Sequence, residues 1–276
     1  MNHMLELSPP LFAILSALIE EKIGLHYGLL DRDLLADKVS TRALEAGFDS
    51  LLDYYYFLRY DPGAEAELRA LTDALVVGET YFFREYAPMR LLVDTFLAQW
   101  CKAGRRPRVW SAACATGEEP LSLAMMLADR GLAGAVDIVA TDVSQRALDR
   151  ARTGTFGSRS LRAIPEPRLV ERYLTATPQG HRIEPALVDG VTWAQVNLLD
   201  DDAVTALGRF DAVLCRNVLI YFRDDTIRSV VERLSSALAP DGVLLVGVAE
   251  SLLRFGTTLV GEERDGSFVY RKEVQG

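Results

Sequence analysis

The segment Arg108-Val-Trp-Ser-Ala-Ala-Cys-Ala-Thr-Gly-Glu-Glu-Pro120 carries the strongest chemical signal in the chain. A hydrophobic run enters a string of small residues, Ala113 among them, then a glycine, and a helical pattern follows. Small residues let the backbone approach a ligand closely, and a helix N-terminus turns unpaired N–H groups toward an anionic group. The carboxylate of S-adenosylmethionine would suit such a loop, and so would no ligand, because a tight β–α turn has the same composition. Pro120 fits best at the first helical position, which leaves Glu119 at the cap, where glutamate is not among the favoured residues. There its carboxylate either faces a cofactor ammonium or complements the helix dipole from solvent. Asp142 closes the next apolar run, Val136–Asp142, near the roughly 20-residue offset at which an acid binds the ribose of an adenosine cofactor. An N-cap for the following helix is the other reading, but Ser144 can fill that role itself.

Elements that could position these residues are legible on both sides. Before Pro107 the chain reads as helix throughout: a start at Pro9-Pro10 with Leu11, Ile14, Leu15, Leu18 and Ile19 at helical spacing, then Asp31–Ala46, Ser50–Tyr60, Ala64–Leu75 and about Ala87–Trp100. After it, short apolar runs alternate with helical patterns. Strands are expected at Arg108–Ala113, Val136–Thr141, Phe210–Cys215 and Val243–Val248, with helices at Pro120–Asp129, Ser144–Arg152 and Asp224–Leu238. Such alternation implies a parallel sheet with crossover helices. Thr258–Glu263 and Ser267–Lys272 flank Arg264-Asp265-Gly266 as a hairpin. Between Thr153 and Val196 the rhythm lapses, and pieces at His181–Glu184 and Val191–Val196 suggest a small antiparallel insert.

Composition narrows the function classes. A net charge of −9 and pI near 5.0 leave no basic footprint for nucleic acid or anionic lipid. Residues 1–75 hold six Lys/Arg against thirteen Asp/Glu and supply most of the excess. Cys101, Cys114 and Cys215 form no CxxC pair and, like His3, His26 and His181, are scattered; we expect a reducing cytoplasm and no metal. No stretch has the roughly 18 apolar residues of a membrane span, and no secretory signal opens the chain. The end at Gly276, soon after the hairpin, leads us to expect no appended repeat or response domain.

Four stretches together resemble the chemotaxis receptor methyltransferases, the CheR family: Gly78-Glu-Thr-Tyr-Phe-Phe-Arg-Glu85, Trp110–Pro120, Ala140-Thr-Asp-Val143, and Phe210-Asp-Ala-Val-Leu-Cys-Arg-Asn-Val-Leu-Ile-Tyr-Phe222. Asn197-Leu-Leu199 and the helical N-terminal region extend the resemblance over nearly the whole chain. It implies an α/β class I methyltransferase with a Rossmann-like sheet, a terminal antiparallel hairpin and a small β insert. Residues 1–76 would form an all-helical domain, 77–90 a linker carrying part of the cofactor site, and 91–276 the S-adenosylmethionine-binding domain, with the insert at about 165–196. By resemblance, cofactor contacts fall at Thr80, Arg84, Glu119, Asp142, Asn197, Leu198, Arg216 and Asn217, and Arg84 and Tyr221 stand near the methyl-transfer point. Phe82, Phe83 and Phe222 read as packing residues. Gly78 stands where the family usually has asparagine, and Asp31–Ala46 mixes acids into what is usually a basic docking helix.

The implied reaction joins a glutamate carboxylate of a chemoreceptor's cytoplasmic domain to the methyl of S-adenosylmethionine, leaving S-adenosylhomocysteine. No general base is needed for an acceptor that is already anionic. The short stretch Thr175–Arg182 suggests action independent of a receptor's C-terminal peptide tether. Competing classes are a nicotinamide oxidoreductase, disfavoured by the incomplete glycine pattern, a cofactor-binding signalling module without catalysis, and a methyltransferase for another acceptor.

Overall fold

The computed structural model describes residues 5–272, which divide into two compact units. One runs to Val77 and takes back Tyr221–Thr226; the other comprises Gly78–Ile220 and the chain from Ile227 onward.

The first unit is helical: α1 Pro9–Ile23, α2 Arg32–Glu45, α3 Leu51–Tyr60 and α4 Glu65–Leu75. Prolines open α1, where their missing N–H groups cost no helical bond, and Gly24 closes it in the left-handed conformation (φ 79°), its N–H on the carbonyl of Glu20. Ser50 caps α3 through the N–H of Asp53. Apolar residues at helical spacing, among them Leu15, Leu35, Val39, Tyr54, Leu58 and Leu75, close one core. Within it the Tyr54 hydroxyl donates to Glu67 at 2.6 Å, and Arg42 grips the same carboxylate.

The second unit is built on a seven-stranded sheet ordered β6-β2-β1-β7-β8-β10-β9. Its strands are β1 Arg108–Ala112, β2 Asp137–Asp142, β6 Val191–Gln195, β7 Phe210–Cys215, β8 Leu238–Val246, β9 Leu259–Arg264 and β10 Ser267–Lys272. The first five pair in parallel; β10 runs antiparallel to β8 and β9. Around them lie α5 Tyr86–Leu91, a π-helical turn Leu92–Leu97 leading into α6 Ala98–Lys102, α7 Glu118–Asp129, α8 Gln145–Arg152, α10 Pro185–Asp189, α11 Asp201–Ala206 and α12 Asp224–Ala237. β1 and β7 are buried nearly throughout because both faces are covered. Trp110 at their centre is fully buried, its indole N–H donating to Thr141 Oγ1 at 2.8 Å. A second sheet, β3 Thr155–Phe156, β4 Leu174–Thr177 and β5 Gly180–Ile183, is antiparallel in the order β3-β5-β4, with α9 Pro167–Tyr173 leading into β4.

Two expectations need correction. Val191–Gln195 is no part of the small insert; it is β6, the parallel edge of the main sheet, paired with β2 from Ile138↔Val191 to Asp142↔Gln195. An edge strand is covered less completely than its neighbours, so its mixed pattern imitates an antiparallel piece. Nor is Pro120 the first residue of α7. Gly117 is the cap (φ 92°), Glu118 and Glu119 follow, and Pro120 is third. The first intrahelical bond runs from Leu121 N to Gly117 O, so proline one residue earlier removes none.

Gly117 is required twice over. Its φ lies in the left-handed region, and a Cβ there would sit 2.7 Å from Ala151 Cβ and 3.0 Å from the Trp193 ring. We expect Gly117→Ala to destabilise by about 2–4 kcal/mol. Gly104→Ala, equally left-handed (φ 77°) but with nothing within 4 Å, should cost only about 1–2 kcal/mol. Denaturant unfolding of the two variants checks this, and equal losses would remove the steric part of the account.

Candidate active site

Strand order in the parallel sheet reverses at β1, flanked by β2 on one side and β7 on the other. In open α/β sheets ligands bind beyond the carboxyl ends of the strands at such a switch point. Most of the residues singled out from the sequence lie there. Ala113 follows β1, Glu119 is the second residue of α7 and not its cap, Asp142 ends β2, Asn197 and Leu198 come just after β6, and Arg216 and Asn217 directly follow β7.

The loop after β1 is held in an unusual shape. Ala113 (φ 60°), Ala115 (φ 48°) and Gly117 (φ 92°) are all left-handed. For alanine that conformation costs roughly 1–2 kcal/mol each. Two bonds from outside hold it, Cys114 N to Thr141 O (2.9 Å) and Ala115 N to Asp142 Oδ2 (2.8 Å), and one within it, Gly117 N to Cys114 O (3.0 Å). Asp142 Oδ1 also accepts from Ser144 N at 2.8 Å, while Ser144 Oγ caps α8 through Ala147 N. Asp142 is thus a brace for two backbone turns, and its own carbonyl receives Val196 N at 3.0 Å, bringing the Asn197–Leu198 turn beside it. Asn197 Oδ1 accepts from Leu199 N (3.0 Å), and Leu198 is buried.

A second cluster centres on Arg216, whose side chain is 1% exposed. Nη1 donates to Glu119 Oε2 at 2.9 Å; Nη2 donates to the carbonyl of Arg84 at 2.6 Å and to Glu85 Oε2 at 3.0 Å. Glu119 Oε1 accepts from Ser111 Oγ at 2.6 Å. Asn217, left-handed at φ 59°, donates from Nδ2 to Glu85 Oε1 at 3.0 Å, and Val248 N reaches the other Glu85 oxygen at 3.2 Å. Burial pushes the Glu85 carboxyl up, but the Asn217 bond and the Arg216 guanidinium outweigh it and hold it below its ordinary value. One layer out, buried Glu250 accepts backbone N–H groups from Asn217 (2.6 Å), Gly247 (2.7 Å) and Ile220 (3.2 Å). Thus one carboxylate fixes the turns after both β7 and β8. Sequence reading missed Glu85 and Glu250. The only available signal was a carboxylate beside each of two strand-end or linker motifs.

The other expected residues fall less centrally. Thr80 is half-buried in a turn closed by Arg84 Nη1 on the Glu79 carbonyl (2.8 Å), with the Arg84 guanidinium 5.8 Å from the Tyr81 ring centroid. The structure therefore places the Arg84 backbone, not its side chain, on Arg216. Tyr221 groups with the helical unit: its carbonyl accepts His26 N at 2.9 Å, and its ring packs against that unit's core. Buried Cys114 and Cys215 are pushed well above the ordinary thiol range by burial first, then by nearby carboxylates, which keeps them protonated and poor nucleophiles.

These groups suit S-adenosylmethionine chemically. A carboxylate offers about four acceptor positions, and Glu119 uses two, which leaves capacity for an ammonium. Asp142 at the end of β2 supplies the acidic acceptor a ribose diol needs. A cleft of about 490 Å³, lined by Tyr86, Val248, Leu253 and Phe268, opens beside Glu85 and Glu250.

Removing Glu85's charge should show in the acid range. A carboxyl whose folded value is lowered stabilises the fold above the ordinary carboxylate range, and this is lost as pH falls through the lowered value. Glu85→Gln should therefore flatten the acid limb of the stability–pH curve. Arg216→Ala, which strands Glu119 and Glu85 in a buried cluster, should cost about 3–5 kcal/mol. Chemical denaturation from pH 3 to 7 tests both, and an unchanged acid limb in Glu85→Gln would refute the coupling.

Comparison with known proteins gives the same frame. The SAM-binding domain model of CheR methyltransferases matches residues 78–261, and the all-alpha domain model of CheR methyltransferases matches residues 10–76. Among similar proteins, chemotaxis protein methyltransferase 1 of Pseudomonas aeruginosa is 32% identical over 250 residues, covering 87% of this chain and 90% of that protein. The chemotaxis protein methyltransferase of Escherichia coli is 34% identical over 260 residues, covering 91% and 87%. The probable biofilm formation methyltransferase WspC of Pseudomonas putida is 36% identical over 258 residues, covering 91% of this chain but 59% of that longer protein. With its two acidic braces at the switch point and both domain models matched in order, the chain belongs to the CheR family of S-adenosylmethionine-dependent methyltransferases.

Proposed function

We propose that this enzyme methylates glutamate side chains on the cytoplasmic domain of a chemoreceptor, giving carboxyl methyl esters, and that it does so in the cytoplasm. No described helix is long and apolar enough to cross a membrane. Similarity to chemotaxis methyltransferases over most of the chain supports the acceptor. The observation that carries the chemistry is the Glu119–Arg216–Glu85 cluster at the ends of β1 and β7.

When bound, S-adenosylmethionine supplies an electrophilic methyl on a sulfonium. Everything else falls to the chain. Glu119 is assigned the cofactor ammonium, Asp142 the ribose, and the backbone around Ala113 close approach. Thr80, Asn197, Leu198 and Asn217 complete the walls, and Arg216 fixes Glu119 in place. A glutamate acceptor, with a reference pKa of about 4.3, arrives ionised, so no residue needs to remove a proton. Opposite charges vanish as the ester forms, so the protein's task is alignment in a site shielded from water; aligned reactants gain on the order of 7–11 kcal/mol. Arg84 and Tyr221 are assigned to the acceptor on the family resemblance. Among the described residues Arg84 pairs with no carboxylate, which leaves its guanidinium available to an incoming one.

We further propose that no C-terminal receptor tether is needed. Outer strand β4 is four residues long, and in an antiparallel ladder only alternate residues direct their polar groups to one side. A tether added there would gain few bonds.

Labelled cofactor and receptor cytoplasmic fragments, with and without the receptor tail, test the reading. Label should leave as volatile methanol in mild alkali and should not depend on the tail; label that survives alkali would mean another acceptor. Arg84→Ala should lower turnover far more than cofactor affinity, whereas Asp142→Asn should weaken S-adenosylhomocysteine binding in calorimetry. Equal losses of turnover and affinity in Arg84→Ala would refute the acceptor role.

A further inference from the structure

Glu118 is the first residue of α7, is 2% exposed, and among the described residues pairs with no cation. Two hydroxyls answer its carboxylate instead: Thr116 Oγ1 donates to Oε2 and Ser160 Oγ to Oε1, each at 2.7 Å. Its carbonyl accepts from Ser122 Oγ at 2.6 Å. From these partners the bonds run on to the linker. Ser122 Oγ accepts from Phe83 N and the Ser160 carbonyl from Phe82 N, both at 2.9 Å. Phe82 and Phe83 are buried, and Phe83 is left-handed at φ 59°. Arg84 follows directly, with its own carbonyl on Arg216. One residue thus holds the cofactor loop at Thr116 and, through two serines, the linker that carries Thr80 and Arg84.

Burying a carboxylate with no cation beside it is costly, and packing alone would be served by an apolar residue. The first turn of α7 and the two hydroxyl donors offset that cost. What the charge supplies is direction. A group that only accepts turns both hydroxyl protons toward itself, so Thr116 and Ser160 are each held in one orientation. We propose that Glu118 is a positioning residue for methyl transfer, setting the linker against the cofactor loop so that the reactants meet in line. Its carboxylate is committed to the two hydroxyls and acts through them. A small displacement of either segment lowers turnover without altering any group that reacts. That the linker's share reaches the acceptor, through Arg84, rests on the function proposed above; the bonds to Glu118 do not.

Each arm is removed from the full chain by itself, as Ser160→Ala or Thr116→Val, and the charge as Glu118→Gln, which keeps the volume. Ser160→Ala should lower kcat on receptor fragments about tenfold at saturating cofactor, the low end for losing a hydrogen bond to a charged group. Its loss of S-adenosylhomocysteine affinity, read by calorimetry, should be smaller. Thr116→Val should do the reverse, losing more affinity than kcat. On a Glu118→Gln background each should cost much less than on the unaltered chain, because both act through that carboxylate. The number of cofactor sites titrated per chain should not fall in either single variant. The proposal is overturned if both variants lose kcat and affinity in equal proportion, or if neither changes. Losses that simply add to that of Glu118→Gln, or a loss of titratable sites alone, overturn it too, the last by making Glu118 a plain folding residue. If the unaltered chain leaves no alkali-labile label on receptor fragments, the acceptor reading falls; the affinity half of the cycle needs no acceptor and still decides Glu118.

Discussion

The catalytic unit depends on one buried cation. Arg216 is enclosed with two carboxylates, Glu119 and Glu85, and three charges so placed sum to one negative charge. Burying a charge without a partner is costly, and an arginine that satisfies two acids and a carbonyl is among the few arrangements that repay the desolvation. The planar fork matters: separate Nη atoms reach Glu119 on α7 and the Arg84–Glu85 backbone, so one side chain ties Glu119 to the linker before α5. Lysine offers a single point and could not span both. The residual negative charge suits a cofactor whose ammonium and sulfonium outweigh its one carboxylate.

Backbone strain gathers around the same point. Among the described residues, Phe83, Glu85, Ala113, Ala115 and Asn217 are non-glycine residues at positive φ, and all lie in the linker or in the turns after β1 and β7. Of the others, Asp265 sits in the turn between β9 and β10, and Asp241 lies within β8 where its pairing with β7 shifts register; aspartate is among the residues that tolerate this conformation. Strain at a site persists only where its surroundings over-determine it. Here Asp142 over-determines the first loop through Ala115 N, and Glu250 the second through Asn217 N. Both are carboxylates answering backbone N–H groups, an exchange that leaves their charge hydrogen-bonded.

How far the sequence revealed this follows from distance along the chain. Apolar runs covered on both faces announced β1, β2, β7 and β8, and the helical spacing before Pro107 announced α1–α4. Asp142 and Ser144 were legible because the position and composition of a strand end and a cap are local. β6 was misassigned because its half-covered edge has the pattern of another kind of strand. The Arg216 hub was hidden for a different reason: Glu119 and Arg84 lie about a hundred residues or more before it, and no spacing rule connects them. A family motif could mark Arg216 as a contact, but not reveal that it acts through a neighbouring acid.

That separation divides the labour between two arginines. Arg216 is committed on several sides and buried, so it cannot turn toward a substrate without stranding Glu119 and Glu85. Arg84 donates its charge only to a neutral carbonyl, a weaker partner than a carboxylate. An incoming glutamate must approach a cluster with surplus negative charge, and a guanidinium not already paired is the group that can offset the repulsion. Both arginines meet at one backbone carbonyl, that of Arg84, which Arg216 holds. A fixed main chain with a side chain held only by a neutral carbonyl and an aromatic ring is the arrangement that the acceptor-orienting role proposed for Arg84 requires.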